Sequence, residues 1–306
     1  MKVILAETAG FCYGVERAVN LARETAKARG GAMLGSIVHN AGVVREIEDL
    51  GMRLITSPDQ AKAGETVLIR AHGEPVETYR TLEARGARVL DATCPHVLRI
   101  HRLVERAEQE GRTPLIIGED HHPEVIAAAS RSSRSVVLGN AEELAEWLAA
   151  VPARRTERLL AVAQTTCIRS IWEKCVNFLK KECTNAEIFD TICDATQKCQ
   201  SEAADIAGRV DVMVVVGDRK SANTKHLSEI CSTRCARVYQ IEGAEELRAD
   251  FLNGCSVAGL TAGASTPAGI IKEVYATMSD EIKNVEATEE SFEEMLEKSF
   301  KTLNTG

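Results

Sequence analysis

The chain has 306 residues with a formal net charge of −8 and 27% charged residues, ample for a substantial core and for more than one compact unit. The acidic balance argues against broad nucleic-acid binding by this part of the chain. No stretch approaches the ~20 apolar residues of a membrane span, and the start MKVILAETAG lacks the layout of a signal peptide. The expected compartment is the cytoplasm, where the ten cysteines serve as thiols or metal ligands rather than as disulfides.

Taken in chain order, one unit recurs three times. Each repeat opens on a strand-like run rich in β-branched residues that ends at a cysteine and is followed by a helix-like stretch. The three runs are VILAETAGFCYGVERAV with Cys12, RVLDATCPHVLRIHRLV with Cys94 and EIFDTICDATQKCQSEA with Cys193. The cysteines are 82 and 99 residues apart. A second strand-like run ends in glycine or a polar loop: MLGSIVHN (His39), PLIIGEDHHPE (His122, Glu124) and VMVVVGDRKSANT (Ser221, Asn223). A third run carries no notable polar group, and a fourth closes each unit: TVLIRAHGEP (His72), LLAVAQTT (Thr165) and VAGLTAGASTP (Ser265). Self-similarity of this kind sets the architecture before any single motif is read.

Short apolar strands alternating with amphipathic stretches predict right-handed βαβ units around parallel sheets, with helices on both faces. The expected fold is α/β, with three similar lobes, each holding a small parallel sheet of about four strands. The expected lobes are residues 1–85, 86–186 and 187–280, followed by an acidic tail or linker at 281–306. Nearly all the notable polar residues fall just after strands and before helices, where open parallel sheets bind ligands.

A lone cysteine after a strand is usually packing, but three at one repeat position are not independent events. They suggest one shared object, a metal site at a central pseudo-threefold axis. Three thiolates, favoured by helix N-termini, suit either zinc with an open position or three corners of a 4Fe-4S cluster. The other seven cysteines read as small core residues. His39, His72 and His122, with Thr165, Ser221, Asn223 and Ser265, form a set of donors suited to a phosphate or diphosphate. His96, His101, His121 and His226 lack matching positions and read as structural. Glu124 is the one carboxylate among these donors; beside an anionic ligand its natural use is as a general acid.

The motifs GFCYGVERA, VHN, RAHGEP, DATCPHV, HHPEV, QTT, DTICDAT, SANT and TAGASTP resemble, in order and spacing, the 4-hydroxy-3-methylbut-2-enyl diphosphate (HMBPP) reductase family, from about residue 3 to residue 275. The resemblance implies a three-lobed α/β trefoil around an oxygen-sensitive 4Fe-4S cluster, damaged to three irons or lost in air. It also implies the last step of the non-mevalonate isoprenoid route. Cys12, Cys94 and Cys193 become the cluster ligands. His39, His72, His122, Ser221, Asn223 and Ser265 surround the diphosphate, and Thr165 and Glu124 sit near the hydroxyl, with Glu124 feeding protons. Ala222 stands where relatives often carry a second serine, leaving a backbone N–H to serve there.

The resemblance further implies ferredoxin or flavodoxin as electron donor, docking on a basic patch among Arg99, Arg102, Arg106 and Arg112. The competing enzyme reading is a quinolinate-synthase-like 4Fe-4S dehydratase. A non-catalytic iron–sulfur or zinc module is the competing reading of another class. EEMLEKSFKTLNTG near the end resembles the lead-in to a ribosomal protein of repeated RNA-binding OB-fold modules. The expectation is that such modules follow residue 306, and the full reading frame tests it.

Overall fold

The computed structural model of the protein describes residues 2–280; the acidic segment expected as a tail or linker lies outside the described residues. The first third of the chain runs β1 (Lys2–Leu5), α1 (Tyr13–Arg29), β2 (Gly31–Leu34), α2 (Ala41–Asp49), β3 (Met52–Ile55), β4 (Thr66–Ile69) and α3 (Val76–Ala84). Next come β5 (Arg88–Asp91), α4 (Pro95–Gln109), β6 (Thr113–Ile117), α5 (Pro123–Ala129), β7 (Val136–Leu138), α6 (Ala141–Ala150), β8 (Leu159–Ala163) and α7 (Arg169–Glu182). The last third holds β9 (Ala186–Phe189), α8 (Asp194–Ala207), β10 (Val212–Val216), α9 (Ala222–Ser232), β11 (Val238–Ile241), β12 (Val257–Ala262) and α10 (Ala268–Asp280).

Among the described residues these strands form three four-stranded sheets, with every pairing parallel. The strand orders are β5-β4-β2-β3, β9-β8-β6-β7 and β1-β12-β10-β11, the same pattern three times. The α/β class and the three small parallel sheets expected from the sequence are therefore present. Phase is where the structure departs from the expected lobes. Each cysteine-bearing strand is an edge strand whose three partners come from the preceding repeat, β5 beside β4 and β9 beside β8. β1, first in the chain, pairs with β12, the last strand, through Val3 opposite Ala258 and Leu5 opposite Leu260. A repeat in sequence sets a period, whereas the inter-strand hydrogen bonds set where one sheet ends.

The inner strands β4, β8 and β10 are buried along their whole length, while β5 and β9 are not, as expected of edges. Helices follow the same logic. In α4 the buried residues Val97, Ile100, His101, Val104 and Ala107 recur every three or four positions, making one apolar stripe, and Pro95 starts the helix. That stripe packs on β6, β8 and α5, joining Ile116, Val125, Leu160 and Val162 in one core cluster. Each such side chain contributes about 1.5–3 kcal/mol by leaving water.

The described residues divide into two compact units: residues 2–16, 38–44 and 194–280 make one, and Arg17–Ile37 with Arg45–Cys193 make the other. The first contains the β1-β12-β10-β11 sheet, with a core that includes Ile206, Val214, Leu227, Leu260 and Ile271. The second contains the other two sheets. Among the described residues no helix is long and apolar enough to cross a membrane.

Candidate active site

In the larger unit, the segments after β4, β5, β6, β8 and β9 carry six of the predicted residues. Cys94 is the N-cap of α4, makes no side-chain capping bond, and donates its backbone N–H to Ala71 O at 2.9 Å, which ties it to the loop after β4. Cys193 donates its N–H to Thr165 O at 3.0 Å, so the ends of β8 and β9 are joined directly beneath the thiol. His72, two residues past Arg70 on that first loop, stands edge-on to His122 with ring centroids 5.1 Å apart and an angle of 79°. His122 caps α5, and its Nδ1 accepts the N–H of Glu124 at 3.2 Å, which in the neutral ring assigns the proton to Nε2.

Glu124 is 2% exposed and clamped by one residue. Its Oε1 accepts the Thr165 N–H at 2.7 Å and its Oε2 accepts the Thr165 hydroxyl at 2.6 Å. Burial raises the carboxyl pKa, and the two Thr165 bonds oppose it in part. Cys94 is raised too, chiefly by burial, with Cys193 and Glu124 adding negative potential. The N–H groups of His96 and Val97 act in the direction expected of a helix start, but burial outweighs them.

Sequence reasoning gave no role to Gln164, which is 1% exposed and braces this region. Its Oε1 accepts the Glu119 N–H at 2.9 Å and its Nε2 donates to the Thr166 hydroxyl at 2.8 Å. A polar residue directly after a fully buried strand was the available signal.

The smaller unit carries the remaining predicted residues. Cys12 donates its N–H to Ala264 O at 3.2 Å, and its own carbonyl accepts Glu16 N–H at 2.9 Å. His39 precedes Asn40, whose side-chain oxygen accepts the Val43 N–H at 3.0 Å. Ser221 caps α9 with Ala222 next. The Ser221 hydroxyl is 3.5 Å from Thr224 N and 3.4 Å from the Ser265 hydroxyl, both long contacts that a ligand oxygen could improve on. Asn223 is 5% exposed, and both its amide atoms are buried without a hydrogen-bond partner among the described residues. Leaving an amide so placed unsatisfied is costly, so the geometry suits a polar ligand there.

Glycine makes that arrangement possible. Gly217, past the end of β10, has φ +147°, and a Cβ there would lie 2.7 Å from the Thr224 hydroxyl and 2.8 Å from that of Thr266. Gly217→Ala should therefore push α9 off the strand ends and lower the denaturation midpoint. Chemical denaturation would check the effect.

Cys167, Cys175, Cys199, Cys231 and Cys235 are buried, and burial pushes Cys167 and Cys231 up to about 12 and Cys175 to about 11. The Cys167, Cys175 and Cys231 thiols stay protonated, and all five side chains pack as small core groups. Two of the four arginines in the expected basic patch have acidic partners. Arg106 and Arg112 both pair with Glu187 and Glu110, with the Arg106–Glu187 contact at 2.7 Å, so much of their charge is offset by these two carboxylates. Among the described residues, no three His, Cys, Asp or Glu side chains group closely enough to hold a single metal ion. A four-iron cluster spreads its thiolates over separate corners and requires no such tight group.

Fold and site together define a class: an α/β protein of three repeated parallel sheets with cysteines, hydrogen-bond donors and the buried acid Glu124 at the strand ends. The chain belongs to the LytB protein family, which it matches over residues 3–279. It is 42% identical over 277 residues to the 4-hydroxy-3-methylbut-2-enyl diphosphate reductase of Oleidesulfovibrio alaskensis, covering 89% of this chain and 97% of that one. A solved structure of (E)-4-hydroxy-3-methyl-but-2-enyl diphosphate reductase, the terminal enzyme of the non-mevalonate pathway, is 36% identical with a TM-score of 0.65. It covers 92% of this chain and 100% of its own. The corresponding reductase structure from Plasmodium falciparum, 23% identical, shares the fold with a TM-score of 0.87 over 97% of this chain and 98% of its own. These matches leave no place for the quinolinate-synthase-like reading.

Proposed function

We infer that this chain is a 4-hydroxy-3-methylbut-2-enyl diphosphate reductase, which uses two electrons and two protons to replace the substrate's hydroxyl by hydrogen and release water. The observation that carries the reading is the buried Glu124 carboxyl, clamped by Thr165 and close enough to Cys94 to raise its pKa. A proton donor beside a thiol pair has little structural purpose, whereas a departing hydroxyl requires one.

Cys94, Cys193 and Cys12 are the residues proposed to hold a 4Fe-4S cluster. The donor set fits: the half-buried Cys94 thiol has Cys193 and Glu124 as negative neighbours, a setting that an iron charge would reverse. Bound there, the cluster would supply electrons singly from a ferredoxin or flavodoxin, together with a Lewis-acidic iron. The protein's own residues handle the rest. Asn223, Ser221, Ser265 and the first-turn N–H of Ala222 bind the diphosphate, with His39, His72 and His122 as further donors. Glu124 holds its proton until the hydroxyl departs, and Thr165 orients that carboxyl.

The test is anaerobic purification followed by iron and sulfide analysis and HMBPP-dependent oxidation of reduced methyl viologen. A preparation that carries the cluster yet fails to turn over HMBPP overturns the assignment. In the active enzyme, Asn223→Ala should raise KM and product inhibition constants by about tenfold, the loss of one or two hydrogen bonds to a charged group. Unchanged constants would remove Asn223 from the binding set.

A further inference from the structure

His101 lies outside the residues assigned above, yet it is 3% exposed on the buried face of α4, two turns beyond Cys94. What it touches is the loop that carries His72. Gly73 turns there with φ +73°, and a Cβ built on it would lie 2.8 Å from Cε1 of His101 and 3.2 Å from Cγ2 of Thr93. The loop is pinned on either side of that turn. Before it, Ala71 O accepts the Cys94 N–H at 2.9 Å; after it, Glu74 O accepts from Arg131 at 3.1 Å. Between those pins, the imidazole occupies the space that a side chain at residue 73 would need.

The ring acts by shape rather than by hydrogen bonding through Nε2, which is buried with no partner among the described residues. It is uncharged at neutral pH: burial, then the Arg131 charge, lowers its pKa to about 4, with Asp91 opposing. We propose that His101 is a positioning residue, the seat on which the Gly73 turn rests, and that it holds His72 edge-on to His122 on the anion-binding side of the site. The proposal rests on the reductase reading, because His72 and His122 are diphosphate ligands only there.

The test is steady-state kinetics with HMBPP on anaerobically purified holoenzyme. His101→Ala should raise KM by about tenfold or more with kcat within about twofold, because a displaced ligand loses binding without touching proton or electron supply. His101→Phe restores a flat ring and should restore KM. Gly73→Ala should also raise KM, and adding His101→Ala to it should recover part of the loss, since the obstructing ring is gone. Should the alanine variant lose its chromophore, His101→Leu, which keeps an apolar core but no flat ring, shows the same split. Wild-type KM in the alanine and leucine variants, or equal impairment in the alanine and phenylalanine variants, overturns the seat. A wild-type enzyme that carries its cluster and turns over no HMBPP overturns both this proposal and the reading beneath it.

Discussion

Replacing any one of Cys12, Cys94 and Cys193 with serine is expected to abolish the brown chromophore and the reductase activity together, a loss above about a thousandfold or at least ~4 kcal/mol of barrier. A serine hydroxyl is a hard oxygen donor that stays protonated at neutral pH, so it replaces neither the softness nor the charge of a thiolate. Cys175, Cys231 and Cys255 provide the contrast. Burial pushes the first two thiols up to about 11 and about 12, and Cys255 lies at a half-buried position where its sulfur accepts from Arg237 at 3.1 Å. Cys175→Ser, Cys231→Ser and Cys255→Ser should keep chromophore and turnover. Iron and sulfide content, the visible spectrum and the viologen assay read all six variants. An intact cluster with full turnover in Cys94→Ser would sink the ligand assignment. Protein handled in air should carry a three-iron remnant or no iron.

Glu124→Gln should separate chemistry from binding: kcat falling by about 10²–10⁴-fold with KM nearly unchanged. Glutamine keeps the shape of the side chain. Its carbonyl can accept the Thr165 N–H while the Thr165 hydroxyl rotates to accept from its amide. What it lacks is a transferable proton. Stability should move the other way. Burial raises the folded-state pKa of Glu124, so the native state binds this proton more tightly than the unfolded chain does. The stabilisation from that carboxyl is complete below the unfolded pKa of about 4.3 and is lost as pH rises through the folded value. The glutamine variant, neutral at every pH, should therefore gain on wild type as pH rises across that window, read as urea midpoints from pH 4 to 8. Near-normal turnover in Glu124→Gln would refute the proton-donor role.

Much of the candidate site can be read without coordinates because it is repeated. Cys12, Cys94 and Cys193 recur at one position, and His39, His122 and Ser221 at another, each at a strand-to-helix junction where a parallel sheet exposes its ligands. Periodicity of this kind is a property of the chain, so it survives without knowledge of contacts. The continuous apolar runs of β4, β8 and β10 likewise read directly as strands buried on both faces.

Other features depended on partners far along the chain. Arg106 and Arg112, two of the four arginines of the expected docking patch, share Glu187, some 80 residues on, as an ion-pair partner. His101 read as an ordinary core histidine, and only the packing of Gly73 against its ring singled it out. Glu124 was a candidate acid by its place among the strand-end donors, but its burial sets the direction of its pKa against the clamp by Thr165, 41 residues away. The phase of the repeat was decided in the same way. The sequence by itself determined three equivalent units, their strands and their strand-end chemistry, because local pattern and periodicity encode these. Only the tertiary structure decided that each cysteine strand completes the preceding sheet, with β1 beside β12, and which polar atoms are buried without a partner. Those outcomes follow from hydrogen bonds and desolvation between segments distant in sequence, which local pattern does not encode.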